Sequence, residues 1–120
     1  MGHPVIHFEV NGTDGEALQS YYGDLFGWQM QPVPELGYAL VEKVGDGIAG
    51  GIGTAQEGTG HVTFYVQCDD PQATLDRAVE LGGSVLMPVT DIPGTVTLAL
   101  FADPEGHMVG LVGSESPPAE

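Results

Sequence analysis

The chain has 120 residues, 42% of them hydrophobic, with 17 acidic and two basic residues and a formal charge of −15. That length and apolar share suit one compact domain, or two small modules sharing a core. The charge excludes nucleic acid, which needs a basic patch, and an anionic membrane surface for the same reason.

No apolar run is long enough to span a bilayer and no basic-then-apolar leader opens the sequence, so a cytoplasmic protein with no membrane partner is expected. The single cysteine, Cys68, allows no internal disulfide and sits in an apolar strand, where an inert core thiol is the simpler reading. The acidic surplus suits neutral or cationic ligands, although solubility alone accounts for it.

Val5–Asn11 alternates strictly. Ile6, Phe8 and Val10 share an apolar face, and Val5, His7, Glu9 and Asn11 share the other. Asn11-Gly12-Thr13-Asp14 supplies turn chemistry and a helix N-cap at Thr13 or Asp14. The spacing of Leu18, Tyr21, Tyr22, Leu25 and Phe26 predicts a helix over 15–26 with one packing face, closed by Gly27. Short strands follow over 28–33 and 38–44, turned back by Gly45-Asp46-Gly47. Residues 48–53 are glycine-dense, which marks a bulge or a close approach by backbone or ligand. Residues 54–60 lack periodicity and read as a linker.

His61–Cys68 repeats the alternation, with Val62, Phe64, Val66 and Cys68 facing the helices and His61, Thr63, Tyr65 and Gln67 facing away. Asp70-Pro71 starts a second helix. Its buried stripe is Leu75, Ala78, Val79 and Leu81, and Gly82-Gly83 stops it. Strands are expected over 84–89, 95–102 and 107–112, with turns at 91–94 and 103–106. Asp14 and Asp70 occupy equivalent places, as do Ala17 and Ala73, so one β-α-β-β-β unit is built twice. The modules span 1–58 and 59–114, with a disordered tail at 115–120. The fold class is α+β.

Each sheet has one face covered by its own helix and one left open. Two open faces that curl together enclose a cleft, whose floor is His7, Glu9, His61, Thr63, Tyr65 and Gln67. Glu42 and Tyr38 share a strand face directed at the same cleft. Phe101 and Met108 either wall it or serve the core. His3 and His107 lie at an end and near a turn, and exposure is the simpler reading for both. No phosphate loop, Ser-His-Asp order or CxxC pair is present, which argues against nucleotide chemistry and triad hydrolysis.

Three stretches, YYGDLFGW (Tyr21 to Trp28), HVTFYVQCDD (His61 to Asp70) and FADPEGHMVGLV (Phe101 to Val112), together resemble the vicinal oxygen chelate superfamily. That superfamily includes glyoxalase I, bleomycin-resistance proteins and extradiol dioxygenases. The resemblance covers nearly the whole chain. It implies paired cupped sheets and a homodimer. In the metal-dependent members it implies a divalent ion held by the first and last strands of each module and acting as a Lewis acid. Carried onto this sequence, one first-strand histidine matches His61. Its counterpart falls on Val5, with His7 further along the same face. The last-strand carboxylates fall on Gly110 and near Gly51.

One ligand of that set is thus kept, one displaced and two replaced by glycine, whereas a catalytic metal takes about three protein ligands and a structural one about four. The first reading is a small-molecule binder without the family metal, which sequesters a neutral or cationic metabolite or drug. The alternative is a glyoxalase- or dioxygenase-like metal enzyme with a rearranged site of His7, Glu9 and His61, since two histidines and a carboxylate form a facial triad. A third reading, an interaction protein with no ligand, fits an aromatic stripe used as core but not an open polar cleft.

Overall fold

Each helix starts on an aspartate that caps it in the same way. Asp14 accepts from the Ala17 N–H at 3.1 Å at the head of α1 (Gly15–Phe26), and Asp70 accepts from the Ala73 N–H at 3.1 Å at the head of α2 (Pro71–Glu80). Each cap satisfies a first-turn donor that has no partner inside the helix. The equivalence of 14 with 70 and of 17 with 73 is therefore one geometry used twice. Gly27 closes α1 with φ +71°, its N–H donating to the Gly23 carbonyl, a backbone that glycine adopts without strain.

The computed structural model describes residues 2–56, 58–92 and 96–113. They divide into two units, one over Ile6–Phe64 and one joining the residues up to Val5 with those from Tyr65 onward. The division between them after the start of the chain falls between Phe64 and Tyr65. In the first unit the strands β1 (Val5–Gly12), β2 (Met30–Val33), β3 (Tyr38–Val41) and β4 (Ala49–Thr54) take the order β2-β3-β4-β1. β1 and β4 run parallel and the other pairs antiparallel. In the second, β5 (His61–Cys68), β6 (Ser84–Asp91), β7 (Thr97–Ala102) and β8 (Met108–Gly113) take the order β5-β8-β7-β6, again with one parallel pair, β5 with β8. The eight strands and two helices make the α+β fold, and both halves read β-α-β-β-β. The register of β6 slips on either side of Met87, beside Pro88, which has no N–H to offer a ladder. Residues 93–94 of the turn expected at 91–94, and the tail expected at 115–120, lie outside the described residues.

The second unit has a core of Cys68, Leu75, Ala99 and Leu111, against which Val66, Val89 and Phe101 pack. α2 covers β6, β7 and β8. Of its expected stripe only Leu75 is buried. Ala78 is half-buried, while Val79 and Leu81 are exposed, because a ten-residue helix over a narrow sheet touches it along one line of side chains.

In the first unit Ala39, Val41 and Ile52 are buried, and α1 lies on β3 and β4. Its expected packing face is not buried. Tyr21, Leu25 and Phe26 are more than half exposed at 60%, 57% and 55%, and Gly15 is the buried residue of the helix. α1 is held at its start, where the Gly15 N–H donates to Thr54 Oγ1 at 2.9 Å, and by Gln19 Nε2, which donates to the Ile52 carbonyl at 2.9 Å. Its later turns spend their aromatic rings on one another and on Trp28. On β5 the expected helix-facing row is likewise split. Val66 and Cys68 join the α2 core, whereas Val62 and Phe64 are exposed.

Candidate functional site

Strand alternation puts His7, Glu9 and Asn11 on one face of β1, and Phe8 and Val10 on the other. On the polar face the Glu9 carboxylate is the centre of a hydrogen-bonded group. Oε1 accepts from Asn11 Nδ2 at 2.9 Å and lies 3.4 Å from His61 Nε2. Oε2 accepts from the Tyr38 hydroxyl at 3.3 Å. That hydroxyl is also 3.3 Å from His7 Nε2. Since the phenol donates its one proton to Glu9, it accepts from an Nε2–H of His7. Asn11 Nδ2 also lies 3.2 Å from His61 Nε2. An unprotonated His61 Nε2 accepts from Asn11, and a protonated one donates to Glu9. The arrangement can hold a proton on either imidazole and can accept or donate one at Glu9 and Tyr38. Burial holds the His7 imidazole below the usual histidine range, against the opposing pull of the Glu9 charge.

Tyr38 reaches this face because Gly51 lets it. β1 and β4 pair so that Glu9 stands beside Gly51, and the position a Gly51 side chain would take is filled by the Tyr38 ring and hydroxyl. The second unit repeats the device. Tyr65 pairs with Gly110, and its ring fills the position of a Gly110 side chain. The places where the resemblance puts carboxylates are therefore occupied by tyrosine rings.

The other expected residues are spread more widely. Thr63 and Tyr65 are buried, and the Gln67 backbone N–H donates to the Pro4 carbonyl at 2.9 Å. Met108 opens β8 half-buried, opposite Ala102. Phe101 is not a wall of the polar face. It lies against the Cys68, Leu75, Ala99 and Leu111 core, because β7 alternation puts it on the same side as Ala99. Glu42 does not join Tyr38. β3 ends at Val41, and Glu42 beyond it lines a cavity with Phe8 and Trp28. His107 bonds Asp103 across the turn before β8. Asn11 was legible as a member of the polar face, but its role depends on the register that sets it against His61.

Among the described residues no three His, Cys, Asp or Glu side chains come together as a metal-holding group, and no helix is long and apolar enough to cross a membrane.

Residues 7–112 match the family model of a glyoxalase-like domain. The Mycobacterium tuberculosis protein CFP32, which carries a glyoxylase name, is 33% identical over 111 residues, covering 86% of this chain and 42% of its own length. The anthracycline biosynthesis protein DnrV of Streptomyces peucetius is 30% identical over 117 residues, covering 82% of this chain and 42% of its own. The chain thus spans less than half the length of either. A solved glyoxalase/bleomycin resistance protein/dioxygenase superfamily member from Vibrio splendidus superposes with a TM-score of 0.68 at 19% identity, over 94% of this chain and 100% of that one. The likeness extends to the fold alone.

Proposed function

The chain belongs to the glyoxalase-like domain family, and from that premise we propose that it binds a small neutral or cationic molecule over the Glu9 face, without the divalent ion of the family's metal enzymes. The observation that supports this most is the tyrosine over each glycine. Tyr38 and Tyr65 take the space beside Gly51 and Gly110 where the resemblance puts metal-binding carboxylates. Glu9, the one carboxylate on this face of β1, is already bonded to Asn11 and Tyr38. Among the described residues no three His, Cys, Asp or Glu side chains converge, whereas a catalytic metal takes about three protein donors, and this supports a site without the family's ion.

What remains is a carboxylate acceptor, a phenol, an amide and two imidazoles over a few ångströms. Such a set orients a ligand that carries both donors and acceptors, and the carboxylate favours one with a positive charge. DnrV bears a name from anthracycline biosynthesis, which makes drug-like metabolites a reasonable first library. Sequestration of such a compound needs no reaction.

A second reading rests on the 3.4 Å approach of His61 Nε2 to Glu9 Oε1, the start of a rearranged metal site with His7. One preparation separates the two. Protein purified without chelator or metal-affinity resin is assayed for metal and screened by thermal shift against neutral, cationic and dicarbonyl compounds. The binding reading predicts sub-stoichiometric metal and a stabilising compound whose effect is lost in Glu9→Gln. Stoichiometric metal that disappears in His7→Ala overturns it in favour of the enzyme.

A further inference from the structure

The face of β1 opposite Glu9 carries a cavity. Phe8 points there, over Gly50, while Tyr38 lies over the neighbouring Gly51 on the polar face. The cavity has a volume of about 310 Å³ and is lined by Phe8, Trp28, Val41, Glu42, Val44 and Ile48, with Gly47 at its turn. That volume is at the lower end of small-molecule sites.

Its walls are held in place. The Phe8 and Trp28 rings stand 5.3 Å apart, tilted by 47°. Phe26 backs the indole at 4.9 Å and Tyr22 stacks on it at 6.0 Å. The Glu42 N–H donates to the Gln29 carbonyl at 2.9 Å, and the Gly47 N–H to the Val44 carbonyl at 2.9 Å, which fixes the rim on both sides. Two aromatic faces, three aliphatic side chains and a single carboxylate line the space, with no basic residue among them. Among the described residues the ion pairs are Glu9 with His61, Arg77 with Glu80 and Asp103 with His107, so Glu42 enters none.

We propose that this cavity is a binding site for a small organic cation, a methylated ammonium group seated against the adjoining Phe8 and Trp28 rings with Glu42 as its counter-charge. Aromatic faces attract a weakly hydrated cation through their quadrupole, and aliphatic neighbours accept its methyl groups without leaving a hydrogen bond unmade. An ammonium with N–H donors gains less here, since one carboxylate is the only charged acceptor in the lining. The charge of −15 adds a long-range attraction that salt screens, whereas the local contact with the rings persists. This site is independent of the Glu9 network.

Trp28 is the sole tryptophan of the chain, so its fluorescence reports on this cavity directly. Choline is titrated into the full chain and compared with 3,3-dimethylbutan-1-ol, its uncharged carbon isostere. Saturation-transfer NMR on the trimethylammonium protons provides a second readout. The expected result is saturable choline binding, with the isostere about tenfold weaker. Glu42→Gln weakens choline about fivefold or more at low salt. Glu105→Gln, which removes the same charge from the other unit, leaves it unchanged. No saturable response in either readout overturns the proposal. So does equal binding of the isostere, or an equal loss in Glu42→Gln and Glu105→Gln.

Discussion

The Tyr38 ring lies over Gly51, and its hydroxyl stands where a side chain at that position would begin. Gly51 has ordinary strand backbone, so the constraint on it is space and not φ. A methyl group there must push the ring aside and break the hydroxyl's bonds to Glu9 and His7. Gly51→Ala is expected to cost about 1–3 kcal/mol, as overpacking does. In a Tyr38→Ala background the same substitution should cost much less, because the obstruction is gone. Urea unfolding of the four proteins measures this coupling, and additive costs would show that ring and glycine do not compete for one space.

His7 carries a pH dependence whose sign follows from its burial. Desolvation lowers its folded-state pKa below 6.5, with Glu9 pulling the other way. Above that value both folded and unfolded chains hold His7 neutral, and its contribution to stability is complete. As the pH falls below 6.5 the unfolded chain takes up the proton first, so stability is lost as pH drops through the folded value. His7→Gln should flatten that part of the stability profile. In Glu9→Gln the raising influence is gone, and the His7 imidazole should titrate lower still in a proton NMR titration. A His7 midpoint at or above 6.5 in the parent would contradict the burial argument.

The sequence carried the duplicated unit plainly. Asp14 and Asp70 are read from turn chemistry at equal places, and both prove to be caps on an alanine N–H. Alternation likewise identified His7, Glu9 and Asn11 as one face, since a period of two survives any register. It directed Tyr38 at the same cleft but could not show that its hydroxyl meets Glu9, because that depends on how β3, β4 and β1 align and on the absence of a side chain at Gly51. Glu42 misleads for a related reason. Alternation puts it in line with Tyr38 only if the strand continues, and β3 stops one residue earlier. The aromatic stripe of α1 was read as buried because helical spacing reports a face and not what covers it.

Two leucines at good helical spacing make that difference measurable. Leu75 of α2 is 2% exposed in a core with Cys68, Ala99 and Leu111, while Leu25 of α1 is 57% exposed. Truncating a fully buried leucine removes its transfer energy and leaves a cavity, at a cost of about 2–5 kcal/mol. Truncating an exposed one costs little, within about 0.5 kcal/mol for a surface site. Leu75→Ala should therefore shift the denaturation midpoint strongly and Leu25→Ala hardly at all. A comparable loss in Leu25→Ala would mean that something covers the α1 face in solution.

Cys68 offers a test of the same core without altering it. The thiol is buried among Leu75, Ala99 and Leu111, and its Sγ lies 3.8 Å from the Val112 carbonyl, to which it donates. Desolvation is the main cause that raises its pKa above 9.0, with Asp69 and Asp70 acting in the same sense. Thiol reagents attack the thiolate, so the folded protein withholds both access and the reactive form. At pH 8 a disulfide reagent should label native Cys68 far more slowly than the urea-unfolded chain, at a rate set by opening of the α2 unit. The linkage also has a definite sign. The unfolded thiol ionises first as pH passes 9.0, so this contribution to stability is complete below that value and is lost as pH rises through the folded pKa. Native labelling as fast as unfolded labelling would show that α2 does not seal the strand beneath it.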